Sequence, residues 1–335
     1  MRGILLVNLG SPKEPTIPAI RKYLSEFLMD PYVLQMPSPL RAMLVYGIIL
    51  PFRPKKTLKN YLKIWTNEGS PLIVESIKLK NKLQKHFYNK DSDMHVEVAM
   101  RYGDPSFTQA LDVFRSKNIR DVRVIPLYPQ YAMSSTGTVE AKLKDLNTKD
   151  FNQFFNFSFV KDFFNDKKFI NPLIETTKMH LTNADYDHLL ISFHGLPKSH
   201  LGEKVESSVC KFEASCCEAI SEKNRYCYRA QCYETARLLT QGLNLSKDKW
   251  SVSFQSRLTR GWIEPFTDQI IENMSKNGIK NLAVVCPSFV SDCLETLEEI
   301  KIGEKERFLQ AGGEKFYYIP CVNDSDSWVT ALGEL

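Results

Sequence analysis

The sequence predicts an α/β protein made of two Rossmann-like lobes, each a four-stranded parallel sheet flanked by helices. Three observations carry that prediction. Eight short apolar runs lie at residues 4–8, 96–100, 122–127, 155–160, 189–192, 252–254, 282–285 and 316–319, with helix-length segments between them. The run Leu189-Leu190-Ile191-Ser192-Phe193 is brief and continuous and ends at Gly195 and Pro197, which is the pattern of a buried parallel strand. Four of them fall in each half of a 335-residue chain, long enough for two complete cores. A βαβα order of this kind needs crossover helices and hence parallel sheets.

The first strand starts almost at the N-terminus. No charged n-region or cleavage site precedes Gly3-Ile4-Leu5-Leu6-Val7-Asn8, so no signal peptide is expected. Residues 27–66 are apolar and proline-rich (Met36-Pro37, Pro39-Leu40, Leu50-Pro51-Phe52) and read as a long loop-like stretch. Segments of that length inside a domain are usually functional, here as a lip over a pocket or a patch resting on a membrane. Asp104-Pro105 reads as an N-cap followed by proline at the first helical position. The first lobe is expected over 1–152 and the second over 153–324, joined near 149–155. A polar, cysteine-bearing insert occupies 201–225. A helix opening at Ser291-Asp292 is expected to run to about Gln310, and 325–335 to form a helix that packs back on one lobe.

Composition is that of an ordinary soluble protein, 43% hydrophobic and 25% charged. A net charge of +5 is too small to argue for nucleic acid, but it suits an anionic membrane surface or a carboxylate-bearing ligand. No stretch spans a bilayer; the nearest, 42–52, is too short and is interrupted by Pro51. No Gly-x-Gly-x-x-Gly or Walker-type loop follows a strand, so no nucleotide is expected. A cytoplasmic location with reduced thiols follows, and eight cysteines then point to metal or chemistry rather than disulfides.

Three groups of residues can carry chemistry. His194 ends the strand in HLLISFHGLP, at the carboxyl edge where open α/β sheets bind ligands. With an ordinary pKa of about 6.5 it is mostly neutral at pH 7, able to act as a base, as a metal ligand, or merely as a strand-end cap. Cys210, Cys216, Cys217, Cys227 and Cys232 follow a C-x5-C-C-x9-C-x4-C pattern. Four thiolates hold a tetrahedral zinc or an iron–sulfur cluster, while the absence of C-x2-C knuckles weakens the zinc reading. Cys232 opens an apparent helical run, 232–239, and is the one best read as a core thiol. Asp292, Glu295 and Glu299 fall at i, i+3 and i+7, placing three carboxylates on one helical face. Asp292 with Glu295 also reads as a capping box at a helix N-terminus.

With these pieces in place, eight motifs in order are similar to those of one family: VNLGSP (7–12), GSPL (69–72), MRYGDPS (100–106), PLYPQYAMSSTG (126–137), SFHGLP (192–197), YRAQCYETARLL (228–239), SFQSR (253–257) and SFVSDCLETLEEI (288–300). Along nearly its whole length the chain resembles the ferrochelatases. The resemblance implies a chelatase-like pair of lobes facing a cleft in which Fe2+ enters protoporphyrin IX, giving protohaem in the last step of haem biosynthesis.

It also implies roles. His194 and Glu295 match the pair assigned to Fe2+ binding and pyrrole deprotonation, and Asp292 and Glu299 match further acids beside them. Arg53 and Ser70 fall where the family contacts a porphyrin propionate. Leu9, Arg101, Tyr102, Tyr128 and Tyr131 match pocket-wall positions, and residues 27–52 resemble a lip that touches the inner membrane peripherally. Asn8-Leu9-Gly10 resembles the protoporphyrin-using branch. The insert replaces a short Gly-Asp-Pro-Tyr loop and resembles that of members with an internal [2Fe-2S] cluster. Its ligands would be Cys210, Cys216, Cys217 and Cys227. Two other functions stay open: a chelatase for another tetrapyrrole or for Co2+, and a non-catalytic haem or iron–sulfur sensor on the same fold. Retention of both His194 and Glu295 argues against the sensor.

Overall fold

A computed structural model describes residues 2–90, 93–201, 210, 213, 215–258 and 261–335. The chain divides into two compact units, one formed by Met1–Leu127 with Met133–Lys161 and the other by Tyr128–Ala132 with Asp162–Leu335. Each holds one four-stranded sheet in which every pairing is parallel, as the sequence predicts.

The first unit contains strands β1 (Arg2–Gly10), β2 (Met94–Tyr102), β3 (Asp121–Pro126) and β4 (Asn156–Phe159). Their order is β2-β1-β3-β4. The inner strand β1 is covered on both faces, and Leu5, Leu6 and Val7 lose all solvent contact. The helices are α1 (Ile17–Leu28), α2 (Ser38–Ala42), α3 (Leu50–Ile64), α4 (Pro71–Tyr88), α5 (Phe107–Ser116) and α6 (Thr138–Lys149).

Three expectations change here. Because β4 pairs with β3, the first unit runs on to Lys161, past the expected boundary at 152/153. The N-cap of α5 is Ser106, not Asp104: Ser106 Oγ accepts from the Gln109 amide, and Gln109 Oε1 accepts from that of Ser106. That reciprocal pair satisfies two amides the helix start would otherwise leave bare. Residues 38–64 are not loop-like, since α2, a π-helix (Met43–Ile49) and α3 follow one another directly, whereas residues 29–37 are a stretch of turns and bends. Pro39 sits in the first turn of α2, where a missing N–H costs nothing, so it opens a helix rather than breaking one, and Pro51 lies where the π-helix runs into α3. The apolar residues stay outside: Leu40, Met43, Tyr46, Ile48 and Phe52 are all more than half exposed.

The second unit contains β5 (His188–His194), β6 (Trp250–Gln255), β7 (Asn281–Val285) and β8 (Lys315–Ile319), ordered β6-β5-β7-β8. Its helices are α7 (Lys167–Leu181), α8 (Tyr228–Gly242), α9 (Thr267–Lys276), α10 (Lys305–Gln310) and α11 (Asp326–Leu332), with a π-helix (Glu295–Glu304) running straight into α10. In α11, Trp328 is fully buried, its indole 5.8 Å from the ring of Phe163 and 5.9 Å from that of Phe169 in α7. Much of the expected insert lies outside the described residues; those described include Cys210, Glu213 and 215–225. No helix among the described residues is long and apolar enough to cross a membrane.

Candidate active site

His194 ends β5 as predicted, paired in register with Gln255 at the end of β6. The next residue has to be glycine. A Cβ on Gly195 would lie 2.7 Å from the carbonyl oxygen of Gln255, the same oxygen that accepts the Gly195 amide at 2.8 Å. His194 is flanked by Trp262 and Phe289, with ring centroids 6.4 Å and 6.1 Å away. Burial among such neighbours holds the imidazole below its ordinary pKa, and the nearby Glu295 carboxylate pulls the other way. The net result is a neutral ring at pH 7, which is the form that accepts a proton or binds a metal.

Glu295 opens the π-helix. Gln255 seats that opening, since its Nε2 donates to the Glu295 carbonyl at 2.8 Å while its Oε1 accepts from Ser192 Oγ at 2.9 Å. One buried amide thus ties β5, β6 and the acidic helix together. Nothing in the spacing singles out Gln255; its only trace is the SFQSR motif.

The predicted acidic face is split by the winding. A π-helix bonds i→i+5 and carries more than four residues per turn, so Glu295 and Glu299 remain near neighbours. Burial pushes Glu299 up to about 7 against the lowering effect of the Ser256 hydroxyl and amide, and the Glu295 charge adds to the rise. That amide donates to Glu299 Oε1 at 2.6 Å.

Asp292 precedes the helix, is buried, and does not form the expected capping box with Glu295. Its carboxylate accepts instead from Tyr318 Oη, from Asn323 Nδ2 at 2.8 Å, from Thr296 Oγ1 at 3.0 Å and from the Cys321 amide at 3.4 Å. Thr296 Oγ1 takes the Cys293 amide at 2.9 Å, the donor a cap would have served. An acceptor so fully used holds structure. Asp292→Ala should cost on the order of 3 kcal/mol in urea unfolding, because it strands several buried donors. A loss of activity with stability unchanged would instead make Asp292 a working acid.

Farther along, burial pushes Glu304 up to about 7 although Arg307 opposes the shift, its Nε 3.1 Å from the carboxylate. The folded value lies above that of the unfolded chain, about 4.3. The native state therefore keeps a proton that the unfolded state releases between about pH 4.3 and 7, and stability falls as pH rises through that window. Glu304→Gln should flatten this slope, gaining on the order of 2 kcal/mol over the parent between pH 5 and 8 in unfolding titrations.

The residues matched to a porphyrin pocket divide between the units. Leu9, Arg53, Ser70, Arg101 and Tyr102 belong to the first, and Tyr128 and Tyr131 to the second. Arg53 is exposed on α3, whereas Ser70 is buried and its Oγ accepts from Ser11 Oγ at 2.7 Å. Leu9, near the end of β1, is half-buried, and its amide donates to Asn8 Oδ1 at 2.9 Å. Arg101 and Tyr102 converge on Asp30, a residue the sequence reading missed. Asp30 accepts from Arg101 Nη2, from Tyr102 Oη at 2.8 Å and from Thr138 Oγ1 at 2.5 Å, and Arg101 Nε donates to Thr138 at 2.8 Å. The Arg101 guanidinium is thereby locked 4.5 Å above the Tyr102 ring. Tyr128 is half-buried; Tyr131 is buried edge-on to Tyr226, and its amide donates to Gln231 Oε1 at 2.6 Å.

Cys217 and Cys227 form a small buried nest with Ala230, against which Cys210, Cys216, Ile220 and Tyr233 pack. The sulfurs of Cys216 and Cys217 are 3.9 Å apart, and Arg229 Nη1 donates to Cys217 Sγ at 3.1 Å. Cys227 sits at the N-cap of α8; its hydrogen bond with Cys217, the amides of Ala230 and Arg229, and the Arg229 charge hold its thiol well below the ordinary range. Cys232 stands apart, fully buried beside the Tyr228 hydroxyl, and burial pushes its thiol up. Among the described residues, no three His, Cys, Asp or Glu side chains form a ready-made metal cage.

Two parallel α/β units with a histidine at a strand end and an acidic helix beside it define the chelatase class of fold. A solved structure described as SirB from Bacillus subtilis with Fe3+ covers 100% of this chain and 94% of its own at TM-score 0.53, with 12% sequence identity, a likeness of fold alone. Sequence comparison goes further. All of residues 1–335 match the ferrochelatase family. Ferrochelatases of Coxiella burnetii (strain Dugway 5J108-111) and Pseudomonas fluorescens (strain SBW25) are each 42% identical over 99% of this chain, covering 92% and 96% of their own lengths. The chain belongs to the ferrochelatase family, enzymes that insert Fe2+ into a porphyrin.

Proposed function

We propose that this enzyme metallates protoporphyrin IX with Fe2+ to give protohaem, with His194 and Glu295 as the reacting pair. The observation that carries this reading is the half-buried imidazole at the end of β5, set between Trp262 and Phe289, whose pKa burial lowers and the nearby Glu295 carboxylate raises. Metallation removes two pyrrole N–H protons and hands over a dehydrated ion. Neutral His194 accepts a proton, and Glu295 balances positive charge and passes iron through oxygen. An imidazole and carboxylate set holds Fe2+ weakly enough to release it, which soft thiolates would not. Bending the ring exposes its nitrogen lone pairs and raises the ground state toward the transition state. Arg53 and Ser70 would receive a propionate, and Leu9, Arg101, Tyr102, Tyr128 and Tyr131 would contact the ring. Parallel anaerobic assays with Fe2+ and Co2+, each against protoporphyrin and other tetrapyrroles, test the assignment. Fastest turnover with Fe2+ and protoporphyrin is expected; preference for another pair would make it a different chelatase.

The cysteine nest has the donor chemistry of a [2Fe-2S] site: four thiols in an apolar setting, beside a guanidinium and a helix N-terminus that favour thiolates. Cys210, Cys216, Cys217 and Cys227 would hold the cluster, which would organise the insert around them. Purified protein should be red-brown with about two irons and two labile sulfides per chain. Changing any of the four to Ser should bleach it, and Cys232→Ser should not. Colourless protein with stoichiometric zinc would contradict this.

The exposed apolar side chains from Leu40 to Phe52, with Arg53, Lys55 and Lys56 just beyond, favour a peripheral seat on the cytoplasmic face of the inner membrane. Co-sedimentation with anionic vesicles, weakened in Phe52→Ser, is the expected result.

A further inference from the structure

The backbone of His194 is held in an unusual way. Pairing of β5 with β7 stops at Ile191 opposite Val285, while pairing with β6 continues to His194. On the β7 side, the ladder that would take up the peptide groups of His194 is therefore missing. Two side chains replace it. The His194 amide donates to Ser288 Oγ at 3.1 Å, and Tyr228 Oη donates to the His194 carbonyl at 2.8 Å. Tyr228 Oη and Ser288 Oγ lie 3.1 Å apart, so the two hydroxyls and the His194 backbone close a small ring.

Tyr228 is also the residue after Cys227 and the first of α8. Its neighbour Arg229 donates to Cys217 Sγ, and also to the Glu213 carbonyl at 2.9 Å, to the Glu264 carbonyl at 3.3 Å and to Tyr233 Oη at 3.2 Å. Three consecutive residues thus point in turn to the cysteine nest, to His194 and to the nest again. The Tyr228 ring is buried, and its hydroxyl is engaged by the His194 carbonyl and Ser288 Oγ. We propose that Tyr228, acting with Ser288, is a positioning residue that orients His194, and that through Cys227 it makes the reaction rate depend on the state of the cysteine nest. The proposal rests on the reading of His194 as the proton acceptor.

Tyr228→Phe keeps the ring and removes the hydroxyl. It should lower kcat by about tenfold to a hundredfold, as misplaced catalytic groups do, with the porphyrin KM nearly unchanged. Amide exchange at His194 and Gly195 should speed up in the same variant, a readout independent of turnover. Cys227→Ser should lower kcat in the parent but not further in Tyr228→Phe. Full activity of Tyr228→Phe beside an inactive His194→Ala overturns the proposal alone, as does a Tyr228→Phe loss of kcat with amide exchange at His194 and Gly195 unchanged. Full activity of His194→Ala overturns the underlying reading and the proposal with it. Additive losses from Cys227→Ser and Tyr228→Phe overturn the link to the nest.

Discussion

His194→Ala should abolish iron insertion while the porphyrin still binds. In the proposed reading the imidazole at the end of β5, held below its ordinary pKa by burial, is the group that takes a pyrrole proton, and alanine removes it. Removing a positioned base costs about a hundredfold to ten-thousandfold in rate. The fold should tolerate the change, because the bonds that hold this residue run through its backbone amide and carbonyl rather than its ring. Porphyrin binding followed by fluorescence quenching, beside haem formation followed by absorbance, separates the two effects. A variant retaining more than about a tenth of the parent rate, a barrier change under 1.4 kcal/mol, would remove His194 from the role of base.

Glu295→Gln should cost activity far more than stability. Glutamine keeps the volume and leaves untouched the Glu295 carbonyl that Gln255 grips. It removes the charge that supports a protonated His194 and that would hand over the metal. A change that only weakened a helix end would lose about 1 kcal/mol of stability and little rate. Thermal unfolding and initial rates on one preparation distinguish these outcomes. Equal rates in parent and variant would leave Glu295 a helix residue and nothing more.

What the sequence revealed and what it hid have physical causes. β1, β5 and β7 are legible because each carries a short, unbroken apolar run, as a parallel strand covered on both faces does, whereas the edge strand β4 alternates, with Asn156 and Ser158 exposed and Phe157 and Phe159 half-buried. His194 is legible for the same reason, standing where such a run stops at a glycine. The π-helices at Met43–Ile49 and Glu295–Glu304 are hidden, because a bond shifted by one residue leaves no distinct repeat over so few turns. That hides which acids share a face: spacing alone groups Asp292 with Glu295 and Glu299, whereas Asp292 is engaged by Tyr318, Asn323 and Cys321, distant in sequence. Residues 27–66 read as a loop because prolines punctuate them, yet Pro39 occupies the first turn of α2 and Pro51 lies within the unbroken helical run that follows. Asp30 and Gln255 are hidden more deeply. Each is a buried polar hub whose partners come from separate elements, and no local pattern announces such a network. The cysteines are the reverse case: their density alone marks the place, and the fold then sets Cys232 apart from the other four.

The most direct measurement is protohaem formation by the purified chain from Fe2+ and protoporphyrin IX without oxygen, run beside His194→Ala at equal porphyrin occupancy. The account predicts steady turnover by the parent and none above the uncatalysed rate by the variant. Equal rates in both, or no haem from a folded, porphyrin-bound parent, would contradict it.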